Sequence, residues 1–230
     1  MSTANQNNNN LALMRALLAS GILAGPLFVV VGAIQELTRP GFDYRQNALS
    51  MLSLGNLGWI QIANFVLTGL LAVSFAFGIR RALHPGRAGT WGPLLVGAYG
   101  VGLVAAGIFH PDPSFGFPPG APAGMPAHFS WHAILHSISF FVAMPSLIAA
   151  CFVFARRFNA LRQSGWMAYC AITGLLAIVL VAVGSINQGE VAVFTYDIAA
   201  VLTSAWLSII AAHLVSAELP RSTQEVLQAA

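Results

Sequence analysis

The sequence predicts an all-α integral membrane protein: a six-transmembrane-helix bundle with both termini cytoplasmic and a short amphipathic outer-face helix between spans 1 and 2. Three observations predict it. Hydrophobic residues make up 57% of the 230 and charged residues only 7%, where a soluble domain carries about a quarter charged. Six apolar stretches are each long enough to cross a hydrocarbon core of about 30 Å, which takes roughly 20 helical residues. The ten basic residues are all Arg, and eight of them fall on one side of the resulting topology.

The six spans are expected at about 12–34, 58–79, 91–109, 130–155, 166–186 and 194–215. They are continuous apolar runs without period-2 alternation, so they read as helices and not as barrel strands. Residues 1–10, with the run Asn7 to Asn10, read as a disordered polar tail. Residues 11–217 form one six-helix transmembrane domain, and 218–230 a cytoplasmic tail. The first span is too long for a signal-peptide core and no small-x-small cleavage site follows it.

Arg15, Arg80, Arg81, Arg87, Arg156, Arg157, Arg162 and Arg221 share one side, and only Arg39 and Arg45 take the other. The positive-inside rule then places both termini in the cytoplasm of a cell (inner) membrane, which an even number of spans also requires. The outer loops become 35–57, 110–129 and 187–193. This composition excludes a standard cytosolic enzyme and a disordered chain. The Arg form no basic stripe for phosphates, so no nucleic-acid partner is expected. Two cysteines, Cys151 and Cys170, exclude a disulfide scaffold and any CxxC motif; both read as small packing residues.

Span 3 carries Gly92, Gly97, Gly100, Gly102 and Gly107. Small residues let helices approach closely in lipid, so span 3 is expected in the middle of the bundle, touching several neighbours. Pro26 and Pro145 each remove a helical hydrogen bond from spans 1 and 4. In the first outer loop, Asp43 and Gln46 have capping-box spacing and Gly55 suits the position after a helix end. A helix over 44–53 is therefore expected, with Ala48, Leu49 and Leu52 on its apolar side. It reads equally as a seal on the bundle or as a lid over an outward pocket. The second outer loop holds six of the twelve prolines, which predicts a stiff, extended segment that fixes His110 and Asp112 at the mouth of spans 3 and 4.

Span 4 opens with His128, His132 and His136 at i, i+4 and i+8, on one helix face. Paired histidines at i, i+4 can chelate one ion. Asp197 near the outer end of span 6 and Glu36 at the end of span 1 add acids to that side. Ionisable groups inside a span mark function or a structural partner, and for Asp197 the candidate partners are Arg39, Arg45 or a histidine. His84 and His213 lie on the cytoplasmic side and read as interfacial.

The stretch Asn47-Ala-Leu-Ser50 through Leu54-Gly55, with Trp59, Phe65 and Gly69, resembles the prokaryotic membrane family called domain of unknown function 998. So does Gly107-Ile-Phe109 before Pro111-Asp-Pro113 and a His-bearing start of span 4. The resemblance covers about residues 20–215. It implies six spans and a polar signature on the outer face, carried by Ser50, Asp112 and His132 or His136, and implies no particular reaction.

Three functional readings follow. In the first, a metal-dependent membrane-embedded hydrolase or lipid-modifying enzyme, His132, His136 and His110 (or Asp112) hold zinc, which lowers the pKa of a bound water. Asp197 then acts as general base, Asp112 supports the site and Ser50 polarises the substrate. In the second, a non-catalytic protein binds, senses or helps transport a lipid or small apolar molecule, with the bilayer as its partner. In the third, His110 faces His132 or His136 across a b-type haem, as haem ligation from two helices requires.

Overall fold

The computed structural model describes residues 3–228, with side chains described for residue 6 and for 8–217. Among these residues it contains six long helices: α1 (Thr3–Thr38), α2 (Gly58–Leu83), α3 (Arg87–Ile108), α4 (Trp131–Ala160), α5 (Ser164–Ile186) and α6 (Glu190–Gln228). Each is long and apolar enough to cross a membrane. The helices outrun the expected spans because residues such as Arg80, Arg81 and Glu190 are helix-compatible once the apolar stretch has nucleated a helix. Helix α1 likewise continues through residues 3–10, where a disordered tail was expected. The tail 218–230 lies outside the described side chains.

The six helices close into a ring. Each packs on its neighbours in the chain, α6 returns to α1, and α4 touches α6 only lightly across the ring. The α1–α6 seam is built from small groups. A Cβ on Gly21 would lie 2.8 Å from the Ala211 Cβ, and Gly25 faces the Ser204 carbonyl directly. The Ser208 hydroxyl bridges the two helices, accepting from the Gly25 N–H at 3.1 Å and donating to the Gly21 carbonyl at 3.0 Å. Such close approach replaces the hydrophobic drive that is absent between helices in lipid.

Span 3 is therefore one member of a ring, packed mainly between two neighbours, and not the bundle's centre. Its glycines divide between the two. Gly100 lies against Gly69 of α2, each Cα within reach of the other's carbonyl, and Gly107 lies against Val66. Gly102 instead meets Ala143 and the Ser139 carbonyl of α4. At the end that carries both termini, the interior is filled by Phe154, Phe158, Trp206 and the buried thiols Cys151 and Cys170. Trp206 donates its indole N–H to the Cys170 sulfur at 3.3 Å. Outward side chains such as Leu23, Phe77, Leu94 and Val101 are exposed and apolar, as lipid-facing positions require.

The opposite end carries the two long loops. Only Leu49–Ser53 of the expected outer helix is helical, as one 3₁₀ turn. Residues 43–47 form a separate turn instead: Asn47 Oδ1 accepts from the Asp43 N–H at 2.8 Å while the Asn47 N–H donates to the Asp43 carbonyl at 2.8 Å. Asp43 and Gln46 do touch, amide to carboxylate at 3.0 Å, and Asp43 Oδ1 accepts the Arg45 N–H at 3.0 Å, while Asn47 in place of Gln46 accepts the Asp43 N–H. Gly55 sits just beyond the 3₁₀ turn with φ +73°, as its position predicted. The proline-rich loop is not extended. It folds back on itself through Gly116 N–H to the Pro122 carbonyl at 2.8 Å and Ala121 N–H to the Pro118 carbonyl at 2.9 Å. Its buried Phe117 packs edge-on against Phe42 at 5.2 Å, so the two loops form one cover.

Candidate functional site

Beneath that cover, α1, α2, α3, α4, α6 and the 3₁₀ turn wall a cavity of about 310 Å³ to which α5 contributes nothing. The wall is mostly apolar, with Phe28, Phe65, Leu103, Phe140 and Met144 in it. Set among these are Asp197, His136, Ser50, Ser139, Tyr99, Thr203 and Ser204. The wall is incomplete along α4, where Ser137 and Phe141 line the cavity yet remain exposed. Helix α5 packs on both α4 and α6 outside the chamber, with Gly174 against Phe152 and Cys151, Gly184 against Thr195 and Tyr196, and Ser185 bonded to the Tyr196 hydroxyl at 3.1 Å.

The expected site residues separate into two groups. Asp197, His136 and Ser50 reach the cavity; His110, His132 and Asp112 do not. His136 Nδ1 lies 2.8 Å from the Phe109 carbonyl. A carbonyl only accepts, so Nδ1 carries the proton and Nε2 of the neutral ring is an acceptor. The bond ties α4 to the end of α3, and Phe65 packs against the ring at 6.4 Å. His132 instead stacks on His110, with ring centroids 5.7 Å apart and planes 10° apart, and is flanked by Trp131 and Phe109. Its Nδ1 is buried without a hydrogen-bond partner. His128 is exposed.

Asp112 accepts the Ser130 N–H at 2.7 Å, and Ser130 caps α4 by accepting the Ala133 N–H at 3.2 Å. Its carboxylate therefore holds the start of α4, where a helix N-terminus favours negative charge. Among the described residues no group of three or more His, Cys, Asp or Glu is placed to hold a metal ion.

Asp197 does not pair with the arginines considered for it. Arg39 gives Nη2 to Gln35 Oε1 at 3.2 Å and to the Leu52 and Leu57 carbonyls at 2.7 and 2.8 Å, which clamps the first loop to α1. Partial burial there pulls its guanidinium below the ordinary arginine value, and it stays charged. Arg45 lies over the Tyr44 ring. Glu36 of α1 keeps its Oε1 buried without a hydrogen-bond partner.

The sequence pattern singles out Asp197 and His136 but not the hydroxyls beside them: Ser204 stands seven residues beyond Asp197 on α6 and Ser139 three beyond His136 on α4, and both line the cavity. A second set of residues that it misses is polar, a buried amide chain between α1 and α2. Gln35 Nε2 donates to Gln61 Oε1 at 2.8 Å, Asn64 Nδ2 donates to the Phe28 carbonyl at 3.1 Å and to Gln61 Oε1 at 3.3 Å, and Thr68 follows. Gln61, Asn64 and Thr68 stand at i, i+3 and i+7, and that spacing within an apolar span was the available signal.

A ring of six membrane-length helices around a polar-studded cavity defines a multi-pass membrane protein with an internal pocket. The chain belongs to the family described as Protein of unknown function (DUF998), whose model matches residues 22–213. No curated protein and no solved structure matches it.

Proposed function

We propose that the protein binds a small amphipathic molecule, or a single lipid chain with its head group, in the cavity beneath the loop cover. The observation that carries this is the composition of the wall: an apolar chamber of about 310 Å³ with Asp197 and His136 set into it and an incomplete side along α4. Ligand pockets of about 300–1,000 Å³ are typically apolar with a few placed polar groups. This volume is at the lower end, which suits one chain and not a whole two-chain lipid. The incomplete side lies between helices, so the ligand reaches the site from the bilayer. In this reading the 3₁₀ turn is the lid, and the bundle sits in the cell (inner) membrane with both termini cytoplasmic. The arginines at the terminal helix ends support that orientation. A metal-dependent hydrolase would need three ligands at one point, and the described residues offer none.

Photolabelling tests the reading. A dodecanol carrying a diazirine should label cavity residues on α3, α4 and α6, and Ala106→Trp, which fills the chamber, should abolish that labelling. Labelling confined to outward side chains such as Phe77 and Leu94, unchanged in the variant, would refute it.

A further inference from the structure

We infer that the cavity selects an amphiphile whose head is a cationic hydrogen-bond donor, a primary ammonium, seated on Asp197. This rests on the binding reading above and assigns the chemical class of its ligand. The donors and acceptors around the chamber point to this class. Ser137, Ser139 and Thr203 all donate to the carbonyl one turn back, on Ala133 at 2.9 Å, Leu135 at 2.7 Å and Ala199 at 2.8 Å. Each hydroxyl is left with lone pairs to offer. His136 spends Nδ1–H on the Phe109 carbonyl, so that proton is not offered to a ligand. Tyr99 reaches across the ring toward Ser204.

Asp197 adds a carboxyl group to the wall. Arg39 is engaged on loop carbonyls and Arg45 on Tyr44. Along α4 and α6 the chamber therefore presents Asp197 together with three hydroxyls whose protons are spent within their own helices. A buried acceptor without a partner is costly, and an ammonium supplies three donors and the opposite charge. A carboxylate-headed ligand would meet the Asp197 carboxylate with like charge, and an alcohol would satisfy one acceptor only.

Equilibrium dialysis separates these cases. The full-length protein is placed in phosphatidylcholine nanodiscs, with empty discs as the baseline. Dodecylamine, dodecanol, dodecanoate and N-acetyldodecylamine are compared on the wild type, on Asp197→Asn and on Ala106→Trp. Dodecylamine should bind about tenfold or more tightly than the other three, as a charge-assisted contact requires. Asp197→Asn should remove that preference while dodecanol binding persists. N-acetyldodecylamine keeps the chain and one donor but lacks the charge, so it tests the inference without any variant. Equal or tighter binding of dodecanol, dodecanoate or the acetylated amine overturns the inference and leaves the binding reading standing, as does an amine preference that survives in Asp197→Asn. No ligand bound above the empty discs overturns both.

Discussion

The α2–α3 seam offers a test in which neighbouring glycines behave oppositely. A Cβ added at Gly100 would lie 2.6 Å from the Gly69 carbonyl oxygen and 3.0 Å from the Val73 nitrogen. Ordinary contact begins at 3.4 Å, so the helices would have to part by about 0.8 Å, and the neighbours are backbone and cannot rotate away. One turn earlier, a Cβ at Gly97 would meet only the Ala76 Cβ, at 3.7 Å. Gly→Ala in a helix is favourable by about 1 kcal/mol where space allows, and overpacking costs about 1–3 kcal/mol. Gly97→Ala should therefore be neutral or stabilising by up to about 1 kcal/mol. Gly100→Ala should destabilise by up to about 2 kcal/mol once the propensity gain is subtracted. Unfolding in mixed detergent–SDS micelles, followed by far-UV circular dichroism, measures both. If the two variants shift the midpoint by the same amount in the same direction, the seam is not held by backbone proximity and the reasoning fails.

Further predictions separate structural groups from the chamber. Asp112→Ala should cost about 1 kcal/mol of stability, the loss of a helix-start acceptor, with ligand retention in the photolabelling assay unchanged. Asn47→Ala removes the acceptor for the Asp43 N–H and the 3.3 Å bond from its amide to the Phe115 carbonyl, so limited proteolysis should cut loop 39–57 faster than in the wild type. Gln61→Leu removes the acceptor that Gln35 and Asn64 share and should lower stability by about 1 kcal/mol; an unchanged unfolding midpoint would show the amide chain to be incidental. Dialysis against a chelator should leave the thermal midpoint of the wild type where it was, because the histidines hold carbonyl and ring contacts in place of a metal; a drop that zinc reverses would refute this.

The spans were legible because apolar length is a property of one helix at a time. So was the positive φ at Gly55, which depends on the local chain alone. The place of α3 was not. Its five glycines report close approach without saying to how many partners, and the structure divides them between two. The outer helix was misjudged for a similar reason. The Asp43–Gln46 spacing describes a cap, but Asn47 takes the backbone bond and is anchored from outside its own segment by Phe115. The proline-rich loop misled in the same way. Proline stiffness fixes each residue's φ, whereas the direction of the chain is set by turns that the loop closes against Phe42 and the 3₁₀ turn.

The histidine row shows where helical spacing stops being informative. His132 and His136 are one turn apart on α4, yet one stacks on His110 and the other bonds to Phe109. A helix wheel specifies the angle at which a side chain leaves its own helix; whether two side chains meet a common ligand depends on the neighbouring helix. Here α3 ends at Ile108, so the Phe109 carbonyl, freed of a helical partner, takes the His136 proton. The i, i+4 pair is thereby split between a helix-end bond and a loop stack. Asp197 gained its significance in the opposite manner. Nothing near it in the chain distinguishes it from an interfacial acid. Closure of α6 on α1 brings it into the wall of a chamber that five helices share. The site is thus a product of ring closure between the first and last spans, the longest-range contact in the chain and the one that single-helix patterns encode least.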